Sequence, residues 1–135
     1  MRIRPVRRTD IPRIARLYYE TVHRVNALDY SPGQIRAWAP RIHPDAFWSR
    51  RFRHYRVLVA ENGGAVVGFV ELGRAGEIDC FYVHHGHQRR GIGAALMARV
   101  EREARARGNA SLLADVSITA EPFFRRMGFC VVRRR

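Results

Sequence analysis

The sequence contains no lysine: all 25 basic residues are arginine, set against 12 acidic ones, for a formal net charge of +13. Arginine carries a fixed charge and a planar fork of donors, so an anionic partner is expected. Nucleic acid is one such partner. The arginines are scattered along the chain, however, and not massed on one predicted helix, which speaks against a nucleic-acid interface. Cysteine is scarce: Cys80 and Cys130 stand alone. Each lies in an apolar strand-like run, where a small buried thiol is expected in place of a disulfide or a metal thiolate. No apolar run approaches the roughly 20 residues of a membrane-spanning helix. Met1-Arg2-Ile3-Arg4-Pro5 lacks the apolar core of a signal peptide. A soluble cytoplasmic protein with no membrane partner is the expectation. Repeats, low-complexity stretches and linkers are missing as well, so residues 1–135 are expected to form one domain with its own core.

Periodicity supplies the elements. Residues 2–7 alternate as an edge strand, where Pro5 is tolerated. Thr9 and Asp10 are candidate caps for a helix whose apolar stripe is Ile11, Ile14, Ala15, Tyr18 and Val22. Ser31 and Pro32 suit the N-cap and first position of a second helix, which buries Ile35, Trp38 and Ala39. A further turn or two of helix is expected over Asp45–Phe52. Arg56–Glu61 and Ala65–Leu72 read as strands joined by an Asn62-Gly63-Gly64 turn. A third strand follows over residues 77–83. Ile92, Ala95, Leu96, Val100 and Ala104 mark a long helix that stops at Gly108. Ser111–Val116, Thr119–Met127 and Phe129–Val132 complete the order as strand, helix and strand. The pattern is β-α-α-β-β-β-α-β-α-β.

Between the 77–83 strand and the long helix lies Gln88-Arg89-Arg90-Gly91-Ile92-Gly93-Ala94-Ala95. Gly91 and Gly93 leave space for a ligand to approach the backbone, and the first-turn N–H groups of the helix have no intrahelical partner. Strand, glycine loop and helix N-terminus together predict an anion site. This stretch resembles the pyrophosphate-binding motif of the GNAT superfamily of N-acetyltransferases, Gln/Arg-x-x-Gly-x-Gly/Ala, with Gln88, Gly91 and Gly93 at its defined positions. Val83 stands five residues before Gln88, as the end of the family's fourth strand does. Ala120 to Phe129 resembles the family's last helix and Gly-Phe strand start. The resemblance implies an α+β fold with a mixed, mostly antiparallel central sheet and helices on both faces. The family's final strand does not follow Val132: either it is absent, and the bare edge points to a homodimer or to protection by Arg133, Arg134 and Arg135, or the sequence is a truncated product.

Acetyl-CoA is the implied cosubstrate, and direct acetyl transfer to an amine the implied reaction; the acceptor is not legible. By the same resemblance Gln88, Arg89, Arg90, Gly91, Ile92, Gly93 and Ala94 hold the phosphates. Phe81, Tyr82 and Val83 offer backbone N–H groups to the acetyl carbonyl where the strand splays from its neighbour. Strand alternation places Glu77, Asp79, Phe81 and Val83 on one face, which makes Glu77 and Asp79 the candidate general bases. Glu71 on the adjoining strand, Tyr30 and Trp38 are candidate acceptor contacts. Ser117 and Phe124 fall at cofactor-contacting positions, where the family often carries asparagine and a proton-donating tyrosine. Phe124 has no proton to give, which leaves Tyr82 as the nearest alternative acid. His84, His85 and His87 have no acidic or thiol partner at ligand spacing, so no metal is expected. A CoA-binding module without catalysis and an arginine-rich nucleic-acid-binding protein on the same fold are the competing functions.

Overall fold

The computed structural model describes residues 1–134. Five strands, β1 (Arg2–Pro5), β2 (Arg56–Asn62), β3 (Ala65–Leu72), β4 (Glu77–Val83) and β5 (Leu113–Ala114), form one sheet in that spatial order among the described residues. The first three pairings are antiparallel and β4–β5 is parallel. Two parallel strands need a long crossover, and α4 (Ile92–Ala106) supplies it. The α+β fold with a mostly antiparallel sheet is as expected.

Each face of the sheet has its own core. Leu58, Ala60, Val70, Leu72 and Ile78 pack against Ile92, Leu96, Met97 and Val100 of α4. On the opposite face Val57, Val59, Phe69 and Cys80 meet α1 (Ile11–Arg24) through Ile11, Ile14 and Leu17, and α3 (Asp45–His54) through Trp48. Full burial of one such aliphatic side chain is worth about 1.5–3 kcal/mol, so the two faces lock the sheet from both sides.

Local chemistry sets several boundaries. Ser31 caps α2 (Pro32–Trp38): its Oγ accepts from Gln34 N–H at 3.1 Å, while Ser31 N–H donates to Gln34 Oε1 at 2.8 Å. Asp10 precedes α1 but does not cap it. Its carboxylate takes two 2.9 Å bonds from the Arg4 guanidinium and one of 2.7 Å from Arg7 N–H. Burial pushes the Asp10 carboxyl up, yet these donors outweigh it and hold its pKa below the ordinary value. The β2–β3 turn is Gly63-Gly64, both at positive φ (58° and 80°), while Asn62 stays in the strand opposite Ala65.

The C-terminal third departs from expectation. The predicted 111–116 strand contracts to β5, and the predicted 119–127 helix to α5 (Glu121–Arg126). Phe129–Val132 forms no strand. A strand persists only where a neighbour completes its hydrogen bonds, and two-residue β5 offers no ladder of that length. The bare strand edge expected there is therefore not formed by these residues. Cys130 is exposed, which corrects the expectation of a buried thiol, whereas Cys80 is buried. Arg134 pairs with Glu121 of α5 at 2.9 Å; Arg135 lies outside the described residues. Among the described residues no helix is long and apolar enough to cross a membrane.

Candidate functional site

The site is organised by an irregularity in β4. Val83, Tyr82 and Phe81 pair with Gly68, Phe69 and Val70, but the next pair is Ile78 with Leu72. Glu71 alone thus faces both Asp79 and Cys80, which is a β-bulge. The extra residue breaks the alternation. Ile78 and Phe81 both pack on the α4 side, while Cys80 and Tyr82 pack on the α1 side. The expectation that Glu77, Asp79, Phe81 and Val83 share a face is corrected: Asp79 turns with Cys80 toward α3.

β4 also separates from β5. Their pairing consists of Glu77–Leu113 and Ile78–Ala114 and ends there, so among the described residues Asp79–Val83 runs on without a partner strand on that side. His84 N–H donates to Val67 O on β3 at 2.8 Å. Amides alternate in direction along a strand, so the Phe81 and Val83 N–H groups point away from β3, into the divergence.

The divergence opens toward the glycine loop. Gly91 is the N-cap of α4 at φ 78°, and a Cβ there would meet nothing within 4 Å. Arg89 also has positive φ, 61°, a conformation that costs a non-glycine residue about 1–2 kcal/mol. Strained backbone of this kind clusters at ligand sites. The Gln88 amide folds back, donating to Val83 O at 2.6 Å, and so anchors the loop to the end of β4. Arg89, Arg90 and Ala94 are exposed, while Ile92 is buried and roots the helix. Gly93 has a different reason to be glycine. A Cβ there would lie 2.9 Å from Phe123 Cε1, so its smallness serves the α4–α5 packing.

Around the bulge the polar groups form one network. Glu71 is fully buried and receives Arg51 at three contacts of 2.7–3.1 Å. Arg51 Nη2 reaches Asp79 Oδ2 at 2.5 Å, and Tyr55 OH donates to the same oxygen at 2.8 Å. That bond, with partial burial, pushes the Tyr55 phenol up to about 12, so it stays a donor. Burial pushes the Cys80 thiol well up, keeping it neutral. The Asp79 side chain is 45 % exposed, and its Oδ1 takes no bond among the described residues. Glu71, expected as an acceptor contact, thus stands behind Arg51 and not in the open. Arg51 and Tyr55 were missed in the sequence. They lie 28 and 24 residues from Asp79, and no local spacing announces them.

The remaining candidates scatter. Glu77 is exposed and accepts from Ala75 N–H at 3.0 Å, which braces the β3–β4 turn. Tyr82 stacks on Phe69 and meets Tyr18 edge-on on the α1 side, and burial pushes its phenol far up. Tyr30 accepts from Ile118 N–H at 2.8 Å and meets Trp38 edge-on. Ser117 Oγ accepts from Ala120 N–H at 3.1 Å, at the start of α5. Phe124 is 5 % exposed and enclosed by Phe81, Phe123 and Phe129.

The histidines do have an acidic neighbour, contrary to expectation. Glu20 of α1 lies 3.2 Å from His85 Nε2 and 3.9 Å from His84 Nε2. His84 Nδ1 accepts from Gly86 N–H at 3.0 Å and sits 3.2 Å from His87 Nδ1. That bond assigns the proton of neutral His84 to Nε2. Toward Glu20, His84 therefore presents a proton and not a lone pair. Burial and the neighbouring histidines lower the His84 pKa.

Comparison with known proteins agrees with this geometry. Residues 26–135 match the family model described as an acetyltransferase (GNAT) domain. The chain is 30% identical over 135 residues to the uncharacterized N-acetyltransferase YafP of Escherichia coli, covering 100% of this chain and 85% of that protein. A crystal structure of a GCN5-related N-acetyltransferase from Rhodopseudomonas palustris superposes with a TM-score of 0.94 at 31% identity, over 99% of this chain and 84% of that one. YncA of Salmonella typhimurium, a structure holding acetyl-CoA, superposes at 0.74 with 26% identity, over 98% and 81% of the two chains. A diverging strand pair, a strained glycine loop at a helix N-terminus and a matching family model converge on one conclusion: the chain belongs to the GNAT acetyltransferase family.

Proposed function

We propose that the protein is an N-acetyltransferase that moves the acetyl group of acetyl-CoA directly to an amine. The observation that carries this reading is the divergence of β4 from β5 immediately beside the Arg89–Gly91 loop. The loop and the α4 N-terminus suit a pyrophosphate: the free first-turn N–H groups and the helix dipole favour an anion. The outward N–H groups of Phe81 and Val83 suit an acyl carbonyl, whose developing negative charge they would stabilise. Acetyl-CoA supplies an activated thioester at that point.

Asp79 is the proposed general base. The amine nitrogen forms a bond to the thioester carbonyl carbon, the carbon–sulfur bond breaks, the sulfur leaves as a thiolate and the amine proton passes to Asp79 Oδ1. Arg51 and Tyr55 hold Oδ2 and orient the carboxylate, so they are positioning residues, with Glu71 behind them. Phe124 lies in the core and has no proton, so water protonates the thiolate, which is already a fair leaving group.

The experiment is thiol release from acetyl-CoA across a panel of amines, with calorimetric titration of acetyl-CoA. Gly91→Val should lose acetyl-CoA affinity, since a β-branched residue at φ 78° rebuilds the loop. Asp79→Asn should keep that affinity while kcat/KM falls by about 10²–10⁴-fold. Unchanged affinity in folded Gly91→Val overturns the cofactor site. Tight acetyl-CoA binding without turnover on any amine overturns catalysis and leaves a CoA-binding module.

A further inference from the structure

On the far side of Asp79 from the glycine loop lies a cleft of about 610 Å³, lined by Arg53, His54, Tyr55, Arg56, Arg74 and Arg107. Its walls come from the end of α3, the start of β2, the β3–β4 turn and the end of α4. Four guanidinium groups share it and no carboxylate lines it. Arg56 is held by Glu103 at 2.8 Å, and Arg107 donates to Gly73 O at 3.1 Å. The Arg53 and Arg74 guanidinium groups have no partner among the described residues, although Arg74 O accepts from Asn109 Nδ2 at 3.0 Å. Glu103 offsets one of the four charges, and the remaining like charges repel one another. An anion in the cleft relieves that repulsion. The volume falls within the range of small-molecule sites, about 300–1,000 Å³.

One side chain joins this cleft to the proposed base. Tyr55 lines the cleft, and its hydroxyl donates to Asp79 at 2.8 Å. A molecule anchored in the cleft by an anionic group would have to extend past Tyr55 to bring an amine to Asp79. We propose that the cleft is the specificity site for the acceptor and that the acceptor is an amine bearing a phosphate monoester. Guanidinium forks match phosphate oxygens bidentately, and several of them around one volume suit a dianion better than a single carboxylate. The inference rests on the acetyltransferase reading for the amine end and on the cleft alone for the phosphate end.

Two measurements separate those ends. The first is calorimetric titration of hexyl phosphate into protein saturated with CoA, which blocks the glycine loop. Binding is expected, accompanied by a rise in melting temperature, and it should weaken by about tenfold or more in Arg53→Gln and Arg74→Gln. Both residues are exposed and their guanidinium groups unpartnered, so the variants should fold. No binding, or binding as tight in both variants as in the wild type, overturns the cleft assignment whatever the enzyme does.

The second is turnover of 6-aminohexyl phosphate, 6-aminohexanoate and hexylamine. The phosphate compound should have the highest kcat/KM, and its advantage over hexylamine should collapse in the two variants. Equal kcat/KM for all three, or a preference for the carboxylate, overturns the phosphate-bearing acceptor while acetyl transfer stands. Hexyl phosphate binding with no turnover of any of the three leaves the cleft an anion site and overturns the phosphate-bearing acceptor, while the wider amine panel decides the acetyltransferase reading. A short DNA duplex that binds through Arg53 and Arg74, and that hexyl phosphate fails to displace, would assign the cleft to nucleic acid instead.

Discussion

The Arg51–Glu71 pair offers the sharpest test of the structure. Glu71 has no exposed surface, and Arg51 makes three contacts of 2.7–3.1 Å with its carboxylate. Truncating Arg51→Met keeps most of the apolar stem and leaves the carboxylate buried and unpaired. Breaking a buried pair in this way costs about 3–5 kcal/mol. Arg51 is 23 % exposed, so some water enters with its removal and the lower end, about 3 kcal/mol, is expected. Against a typical stability of about 5–15 kcal/mol the variant remains foldable. Removing both partners in Arg51→Met/Glu71→Leu takes the charge out with its counter-ion and should recover about 2 kcal/mol of the sum of the two single losses. Urea denaturation followed by fluorescence of Trp48, which is wholly buried, measures all three variants. A loss below about 1 kcal/mol in Arg51→Met, or strict additivity in the double variant, would refute a buried, mutually dependent pair.

Three further outcomes are expected. Phe124→Tyr places a hydroxyl among three phenylalanines, so thermal melting should show a loss of about 1–3 kcal/mol, and steady-state assays should show no gain in kcat; a higher kcat would place the ring edge at the β4–β5 divergence. Gly93→Ala should destabilise by about 1–3 kcal/mol through the Phe123 ring, and Phe123→Leu in the same chain should restore most of it; equal denaturation midpoints for Gly93→Ala and the wild type would remove that contact. Asp10 has a depressed folded pKa, so its contribution is present above the unfolded value of about 3.9 and lost as pH falls through the folded one. Urea midpoints should therefore drop below about pH 4 in the wild type and less steeply in Asp10→Asn; matching slopes would deny Asp10 that part.

The legible parts of the chain depend on neighbours in sequence. The stripe of α1, the Ser31–Gln34 capping box, the glycine turn at 63–64 and the Gly91 N-cap each need only a few adjacent residues and the geometry of one element. The glycine loop before α4 is legible for the same reason, because one short segment supplies both its glycines and its helix end. The competing parts were settled by contacts across the fold. A β-bulge leaves no mark on a period-two pattern, so Asp79 could be placed on a face only once Glu71 was seen opposite two residues. The C-terminal strand expected from Phe129–Val132 depends on a neighbouring ladder that β5 does not extend far enough to provide. The packing of Phe123 against Gly93 joins segments 30 residues apart and has no local signal. Glu20 meets His85 across 65 residues, and Arg51 reaches Glu71 and Asp79 from a helix outside the sheet. Local hydrogen bonding and periodicity belong to the sequence by itself. Which charges are buried, and which carboxylate oxygen is left without a hydrogen bond, follow from pairings between distant segments that only tertiary packing brings together.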